Sequence, residues 1–91
     1  MRNNALYFLE GERKYVQFAI HSSKSQKVVV TQANYELTQK GEVVESGSCE
    51  IVDGATLQIL LEVSKAGNYE LEVTYMVAPE IRKARCTVNV Y

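Results

Sequence analysis

The sequence has few of the residues from which catalytic and metal-binding sites are built. It contains one histidine, His21, one aspartate, Asp53, and two cysteines, Cys49 and Cys86. A single histidine excludes a histidine-rich metal site, and any Ser-His-Asp or Cys-His arrangement would have to centre on it. A lone aspartate, with the glutamates spread over separate segments, argues against clustered calcium ligands. The two cysteines match neither a zinc spacing nor a dense disulfide framework.

Long apolar runs and a strong charge of either sign are also missing. No stretch is long enough to span a bilayer, and the first residues lack the apolar core of a signal peptide. Ten basic and eleven acidic residues give a formal net charge of -1, so no overall field attracts a nucleic acid or an anionic membrane. The five glycines are scattered rather than gathered in a phosphate-binding loop. We therefore expect no cofactor, and binding to neither nucleic acid nor membrane.

The length and composition predict one all-β domain. The 91 residues are close to the size of one immunoglobulin-type domain, so we expect a single domain over residues 1–91. Val, Ile, Thr and Tyr are frequent and the one proline is Pro79, a composition typical of strands. No segment has a convincing helical period.

Alternation of apolar and polar residues marks the strongest strands. Every second residue is apolar over 69–77 and again over 84–90, which is the period of a strand with one buried face. We predict that these strands form a hairpin. Matching of the inward faces across a four-residue loop, 78–81, places Val73 opposite Cys86.

Shorter runs predict the remaining strands. A three-residue loop over 53–55 opposes Ile51 with Leu57, and a turn at Lys40-Gly41 joins two further strands. The predicted segments are 6–9, as an edge strand, 15–20, 27–31, 33–38, 42–45, 48–52 and 56–63. About seven or eight strands at this spacing predict an immunoglobulin-like β-sandwich of two antiparallel sheets.

The stretch containing Gly67, Tyr69 and Leu71 narrows the fold further. It has a tight turn, then a tyrosine two residues before an inward-facing position. In immunoglobulin-like domains a tyrosine at this corner lets its hydroxyl bond to backbone at the turn. We predict a structural corner formed by these three residues; the alternative is a tyrosine that only packs.

Several residues that could take part in catalysis or metal binding are better explained by structural roles. Cys49 and Cys86 fall on inward faces, where a free cysteine acts as a small apolar residue, so we predict buried thiols rather than a disulfide. His21 and its neighbouring serines are predicted to form a polar surface loop. We also predict solvated faces for two further sets of charged residues: the glutamate pairs Glu10/Glu12, Glu42/Glu45 and Glu70/Glu72, and the basic cluster Arg82, Lys83 and Arg85.

Four apolar residues are sent outward by the alternation: Val43, Val52, Leu60 and Met76. Several exposed apolar residues on one sheet are typical of an interface. Strands 48–52 and 56–63 are expected to share a sheet, so we predict a contact surface around Val52 and Leu60, with Met76 as a further candidate.

Four stretches together resemble a known family. They are 33–37, 41–47, 66–75 and 84–90. The pattern resembles small immunoglobulin-like proteins of tailed bacteriophages and prophages. It is similar in particular to N-terminal domains of baseplate upper proteins, which join receptor-binding proteins to a tail. The resemblance implies a structural role in a virion and no catalytic residues.

We expect this chain not to be an enzyme. The leading prediction is a structural or binding module, a phage or prophage tail or baseplate protein. It would assemble with protein subunits, either other proteins or copies of itself, through a sheet face or an exposed edge strand. The alternative is an immunoglobulin-like adhesion or carbohydrate-binding domain of a larger bacterial surface protein. A third hypothesis, a small hydrolase, requires a nucleophile and a carboxylate beside His21.

The same sequence features predict where the chain is found and what it does not bind. Without a signal peptide or transmembrane segment, we expect synthesis in the host cytoplasm and then incorporation into the virion. No small-molecule substrate is evident.

Overall fold

Strands are the only regular secondary structure over the described residues. The protein is described by a computed structural model over residues 4–20 and 28–91. The strands, numbered in chain order, are β1 (Asn4–Phe8), β2 (Glu12–Ala19), β3 (Gln32–Gln39), β4 (Glu42–Ser48), β5 (Glu50–Val52), β6 (Thr56–Val63), β7 (Gly67–Val77) and β8 (Glu80–Val90). Over the same ranges, no helix is long and apolar enough to cross a membrane.

The strands form two sheets that pack face to face. One sheet has the order β1-β8-β7-β3-β4, and the other has the order β2-β6-β5. The grouping of β2, β6 and β5 against β3, β7 and β8 matches the B-E-D and C-F-G sheets of immunoglobulin domains. The predicted all-β immunoglobulin-like sandwich is therefore confirmed. One pairing differs from the antiparallel expectation: β1 runs parallel to β8, which makes the five-stranded sheet mixed.

The core lies between the sheets and consists of the apolar residues that alternate along the strands. Among the described residues no polar or charged side chain is buried. Burial of one large apolar side chain contributes about 1.5–3 kcal/mol, so these faces are the main source of stability. The most deeply buried large side chains are Phe8, Leu37, Leu57, Leu61, Leu71, Val73 and Val88.

The register of the β7–β8 hairpin lies two residues away from the predicted one. The predicted pairing of Val73 with Cys86 is wrong, because Val73 lies opposite Ala84. The ladder continues further than expected and leaves a loop of only Ala78-Pro79. A shift of two residues keeps every side chain on its own face. Face alternation is therefore consistent with both registers. They differ in the length of the loop, which has two residues in the structure and four in the prediction.

Two other predicted turns are confirmed. Ile51 lies opposite Leu57, which closes the three-residue loop 53–55. Strands β3 and β4 join through Lys40-Gly41, whose φ angles are 52° and 80°. A two-residue hairpin turn that matches strand twist needs this left-handed conformation at both positions.

Two predicted strands differ from the structure where the chain crosses between sheets. The strand predicted over 27–31 is wrong for residues 28–31, which are not part of a strand, although Val30 is buried. The strand predicted over 48–52 is interrupted at Cys49, where the chain leaves the five-stranded sheet for the three-stranded one. A crossing segment can be apolar and buried without joining a ladder, so its composition resembles that of a strand.

Tyr69, near the start of β7, bonds to the corner that precedes it. Its hydroxyl donates a hydrogen bond to the carbonyl oxygen of Lys65 at 2.9 Å, and the residue is buried. Gly67, the first residue of β7, has a φ of 143°, which is strained for residues that carry a Cβ. Leu71 then points into the core with no exposed surface. This is the tyrosine-corner geometry of immunoglobulin-like sandwiches.

We expect Tyr69→Phe to lower the free energy of unfolding by about 1 kcal/mol, because one net hydrogen bond in the corner is lost. Urea unfolding followed by circular dichroism measures the change. Tyr15→Phe is the matched control, since Tyr15 is 63% exposed on the three-stranded sheet, and it should change stability little. Equal effects of the two substitutions would contradict a hydrogen-bonding role for Tyr69.

Candidate functional site

The three predicted interface residues do not form one surface. Val52 and Leu60 belong to the three-stranded sheet, whereas Met76 belongs to the five-stranded sheet. Leu60 is 46% exposed, and the other two are half-buried. On the outer face a polar pair separates Val52 from Leu60, because Gln17 donates a hydrogen bond to Gln58 at 2.6 Å between them. As an interface, this set stays a prediction.

Met76 and Val43 each lie near the rim of the five-stranded sheet. Met76 lies opposite Ile81 in the β7–β8 ladder, and both line a shallow depression of about 190 Å³ whose other lining residues include Gln32 and Asn34. Val43 is exposed on the edge strand β4. These are small apolar areas with polar neighbours rather than one continuous patch.

A larger exposed apolar group lies at the other edge of the same sheet. Tyr7, Leu9 and Tyr91 are 60%, 64% and 68% exposed. The two tyrosine rings lie 6.4 Å apart between centroids, with their planes 14° from parallel. The parallel pairing of β1 with β8 brings these residues together from opposite ends of the chain. We call these three residues the tyrosine patch.

Sequence reasoning missed the tyrosine patch, although part of its signal was present. With Phe8 buried in β1, alternation sends Tyr7 and Leu9 outward. Nothing local indicated that Tyr91 lies beside them, because that contact depends on which strand pairs with β1. The missing information was therefore a long-range pairing.

A polar network holds the backbone beneath the tyrosine patch. The ammonium of Lys14 donates to the carbonyl oxygen of Tyr7 at 2.7 Å and lies 4.4 Å from the centre of the Phe8 ring. Glu12 accepts a hydrogen bond from the backbone amide of Leu9 at 2.9 Å and pairs with Lys14 at 3.3 Å. The hydrogen bond from the Leu9 amide lowers the pKa of Glu12, and Lys14 lowers it further by a smaller amount. The tyrosine patch therefore lies beside a turn that these contacts hold in place.

The basic cluster of β8 is paired with carboxylates. Arg82 bonds to Glu80 at 2.6 Å. Arg85 bonds to Glu72 at 2.6 Å, and Lys83 lies 3.5 Å from the same carboxylate. The hydrogen bond from Arg85, with the charge of Lys83, lowers the pKa of Glu72. These contacts fit the predicted solvated face of mixed charge.

The two cysteines are free, buried thiols, as predicted. They lie in the core cluster between the sheets. Burial raises the pKa of Cys49 and that of Cys86 to about 11. A thiol that keeps its proton is a poor nucleophile and a poor metal ligand.

Among the described residues, the remaining candidates do not form a cluster of potential metal ligands. Within residues 4–20 and 28–91, no three or more His, Cys, Asp or Glu side chains are close enough to hold a metal ion. Asp53 lies in the β5–β6 turn with a φ of 54°, and Glu10 accepts a hydrogen bond from the amide of Ala66 at 3.2 Å. The predicted polar loop with its catalytic alternative, His21, Ser22, Ser23 and Ser25, lies outside the described residues.

Comparisons with known proteins show the fold alone. No protein-family model matches the chain, and no curated protein matches it. Among solved structures it is similar to an engineered protein, with a TM-score of 0.76 and 17% identity over 98% of this chain and 18% of the other. It is also similar to a "putative glycoside hydrolase" from Bacteroides vulgatus ATCC 8482, with a TM-score of 0.57 and 13% identity over 94% of this chain and 16% of the other. This chain therefore spans less than a fifth of either structure.

We expect both thiols to resist iodoacetamide in the folded protein at about pH 8, because little thiolate is present.

The same raised pKa predicts a loss of stability as the pH rises from 9.0 towards about 11. In that window the unfolded chain releases these protons while the folded chain retains them. Mass spectrometry measures the labelling, and urea unfolding across the pH range measures the stability.

The urea-unfolded chain is the control for thiol labelling and should react at both cysteines. Rapid labelling of the folded protein would contradict the burial of the thiols.

Proposed function

We propose that this domain is a non-catalytic module that binds protein subunits through the tyrosine patch. The observation that carries the proposal is the exposure of Tyr7, Leu9 and Tyr91, each 60% or more, on neighbouring strands. Aromatic side chains bury large apolar areas, and they are enriched in the buried centres of interfaces. Covering this patch would therefore add apolar burial that the isolated domain lacks.

The edge beside the patch favours side-chain contacts over addition of a strand. β1 is the outermost strand of its sheet, and such edges present unpaired carbonyl and amide groups. Here the Tyr7 carbonyl already accepts from Lys14, a charged side chain at the place where a new strand would pair. A partner would thus contact the tyrosine rings rather than extend the ladder.

We assign the partners to the subunits of a larger assembly, including copies of this chain. The sequence resemblance described above supports the tail or baseplate of a phage or prophage as that assembly. Immunoglobulin-like sandwiches occur in proteins of many functions, so the fold does not select this setting, and the sequence resemblance is what supports it.

A second candidate is an adhesion or carbohydrate-binding domain of a larger bacterial surface protein. The nearly parallel rings of Tyr7 and Tyr91 expose flat apolar surface, and Asn89 lies in register with Tyr7 on β8. A sugar offers an apolar ring face for stacking and hydroxyls for an amide side chain.

We expect the domain to associate with itself in a concentration series followed by light scattering. Tyr7→Ser should weaken this association by about tenfold or more, since loss of a buried interface tyrosine costs at least about 1.4 kcal/mol. Tyr15→Ser is the matched control, because Tyr15 is 63% exposed on the opposite sheet; it should leave association unchanged.

A strict monomer at every concentration, or equal effects of the two substitutions, would contradict self-association through the patch. Titration with soluble oligosaccharides, followed by nuclear magnetic resonance, then tests the second candidate. Shifts confined to Tyr7, Asn89 and Tyr91 would favour glycan binding, whereas unchanged spectra would argue against it.

A further inference from the structure

Strand β6 has an unpaired edge over its second half. On one side β6 pairs with β2 along its full length. On the other side β5 pairs only with residues 56–58. In the two described ranges, no strand covers Ile59–Val63 on that side. Such an edge offers backbone amides and carbonyls that can pair with a further strand.

This edge of β6 is uncovered because the segment after β4 joins the three-stranded sheet only at β5. Strand β4 stays paired with β3 as far as Ser48, which lies opposite Asn34. The amide of Cys49 still donates to the carbonyl of Ala33 at 2.9 Å. Only afterwards does β5 join β6, and it is three residues long. Strand β4 and the second half of β6 belong to opposite sheets. In the described chain, no strand lies between them.

The space between these strands is a cleft of about 290 Å³, which we call the β4–β6 cleft. A cavity of roughly 150 Å³ binds benzene, so this cleft has room for apolar side-chain groups. Leu37, Val63 and Tyr69, all buried in the core, contribute to its lining. Val44, 52% exposed, lies on its β4 side. The cleft thus places apolar surface beside the end of the open strand edge, at Glu62 and Val63.

A β-bulge brings a carboxylate into this cleft. The β3–β4 register shifts between Leu37 and Thr38, so that Leu37 lies opposite Glu45 and Val44 is the extra residue. Bulges re-aim side chains in this way. Glu45 consequently shares a face with the buried Leu37 and accepts a hydrogen bond from the hydroxyl of Tyr35 at 3.3 Å. Partial burial, together with the charge of Glu62, raises the pKa of Glu45.

The cleft has an excess of negative charge. Glu45 and Glu62 line it, against one ammonium, that of Lys65. Arg13 lies opposite Glu62 on β2, but the ion pairs of the described residues join neither glutamate to a basic side chain. A partly desolvated carboxylate without a cation gains most from a basic group that reaches it.

We propose that the β4–β6 cleft binds an extended basic segment of a partner protein. The segment pairs as an added strand with Ile59–Val63, places an apolar side chain in the cleft, and sets a lysine or arginine against Glu45 and Glu62. Strand addition takes affinity from the backbone and specificity from such alternate side chains. The inference rests on the proposed function only in requiring a protein partner, since it uses a different surface from the tyrosine patch.

Selection from a displayed library of random linear peptides of about eight residues, a usual strand length, tests this inference on the purified domain. We expect selected peptides to share a lysine or arginine with an apolar residue two positions away. A bound peptide should slow hydrogen exchange of the Leu60 and Glu62 amides, because alternate residues of a strand direct their backbone groups to opposite edges and those of Ile59, Leu61 and Val63 face β2. High salt should weaken binding, because a charge pair contributes to it.

Glu45→Gln should weaken binding of a selected peptide by about tenfold or more. Glutamine keeps an acceptor for the Tyr35 hydroxyl, so the fold should be retained. Glu42→Gln is the matched control, because Glu42 is exposed on the same strand outside the cleft, and binding should not change.

Three outcomes would overturn the inference: selection of no shared peptide pattern, equal binding to Glu45→Gln and the wild type, or exchange protection at another strand edge. Tyr7→Ser separates this inference from the proposed function. If Tyr7→Ser abolishes association while no peptide pattern is selected, only the cleft inference fails. If selected peptides depend on Glu45 while Tyr7→Ser changes nothing, only the role of the tyrosine patch fails.

Discussion

The packing of two alternating apolar faces against each other is the interaction on which the rest of this structure depends. Leu57 and Leu61 of β6, with Leu71 and Val88 of the opposing sheet, have no exposed surface. No buried polar side chain among the described residues directs this packing. Apolar contact is not directional, so it requires that the faces meet but leaves the register of the strands to backbone ladders and turns.

The crossings between sheets shape the surface as much as the strands do. The crossing at Cys49 ends the β3–β4 ladder before β5 joins β6, and so leaves part of the β6 edge uncovered. The bulge after Leu37 adds a residue to β4 and brings Glu45 to the resulting gap. An acidic cleft beside an open strand edge thus follows from two local departures from regular sheet geometry.

The features that support a binding role lie at the edges rather than in the core. The buried thiols keep their protons, and the basic residues of β8 are paired with Glu72 and Glu80. By contrast, Tyr7 and Tyr91 are mostly exposed, beside a turn held by Lys14 and Glu12. The binding role that we propose therefore rests on these exposed tyrosines.

The sequence by itself determined the strand class, the inward faces, the turns at 40–41 and 53–55, and the burial of both cysteines. These properties depend on side-chain period and on the conformations that a few turn residues allow. Only the tertiary structure decided the β7–β8 register, the parallel pairing of β1 with β8, and which exposed apolar residues are neighbours. Alternation assigns a residue to a face but does not identify its neighbours on that face. It therefore indicated neither the separation of Val52 from Leu60 nor the contact between Tyr7 and Tyr91. Those relations depend on backbone hydrogen bonds between segments far apart in the chain, which form only when the whole sandwich is assembled.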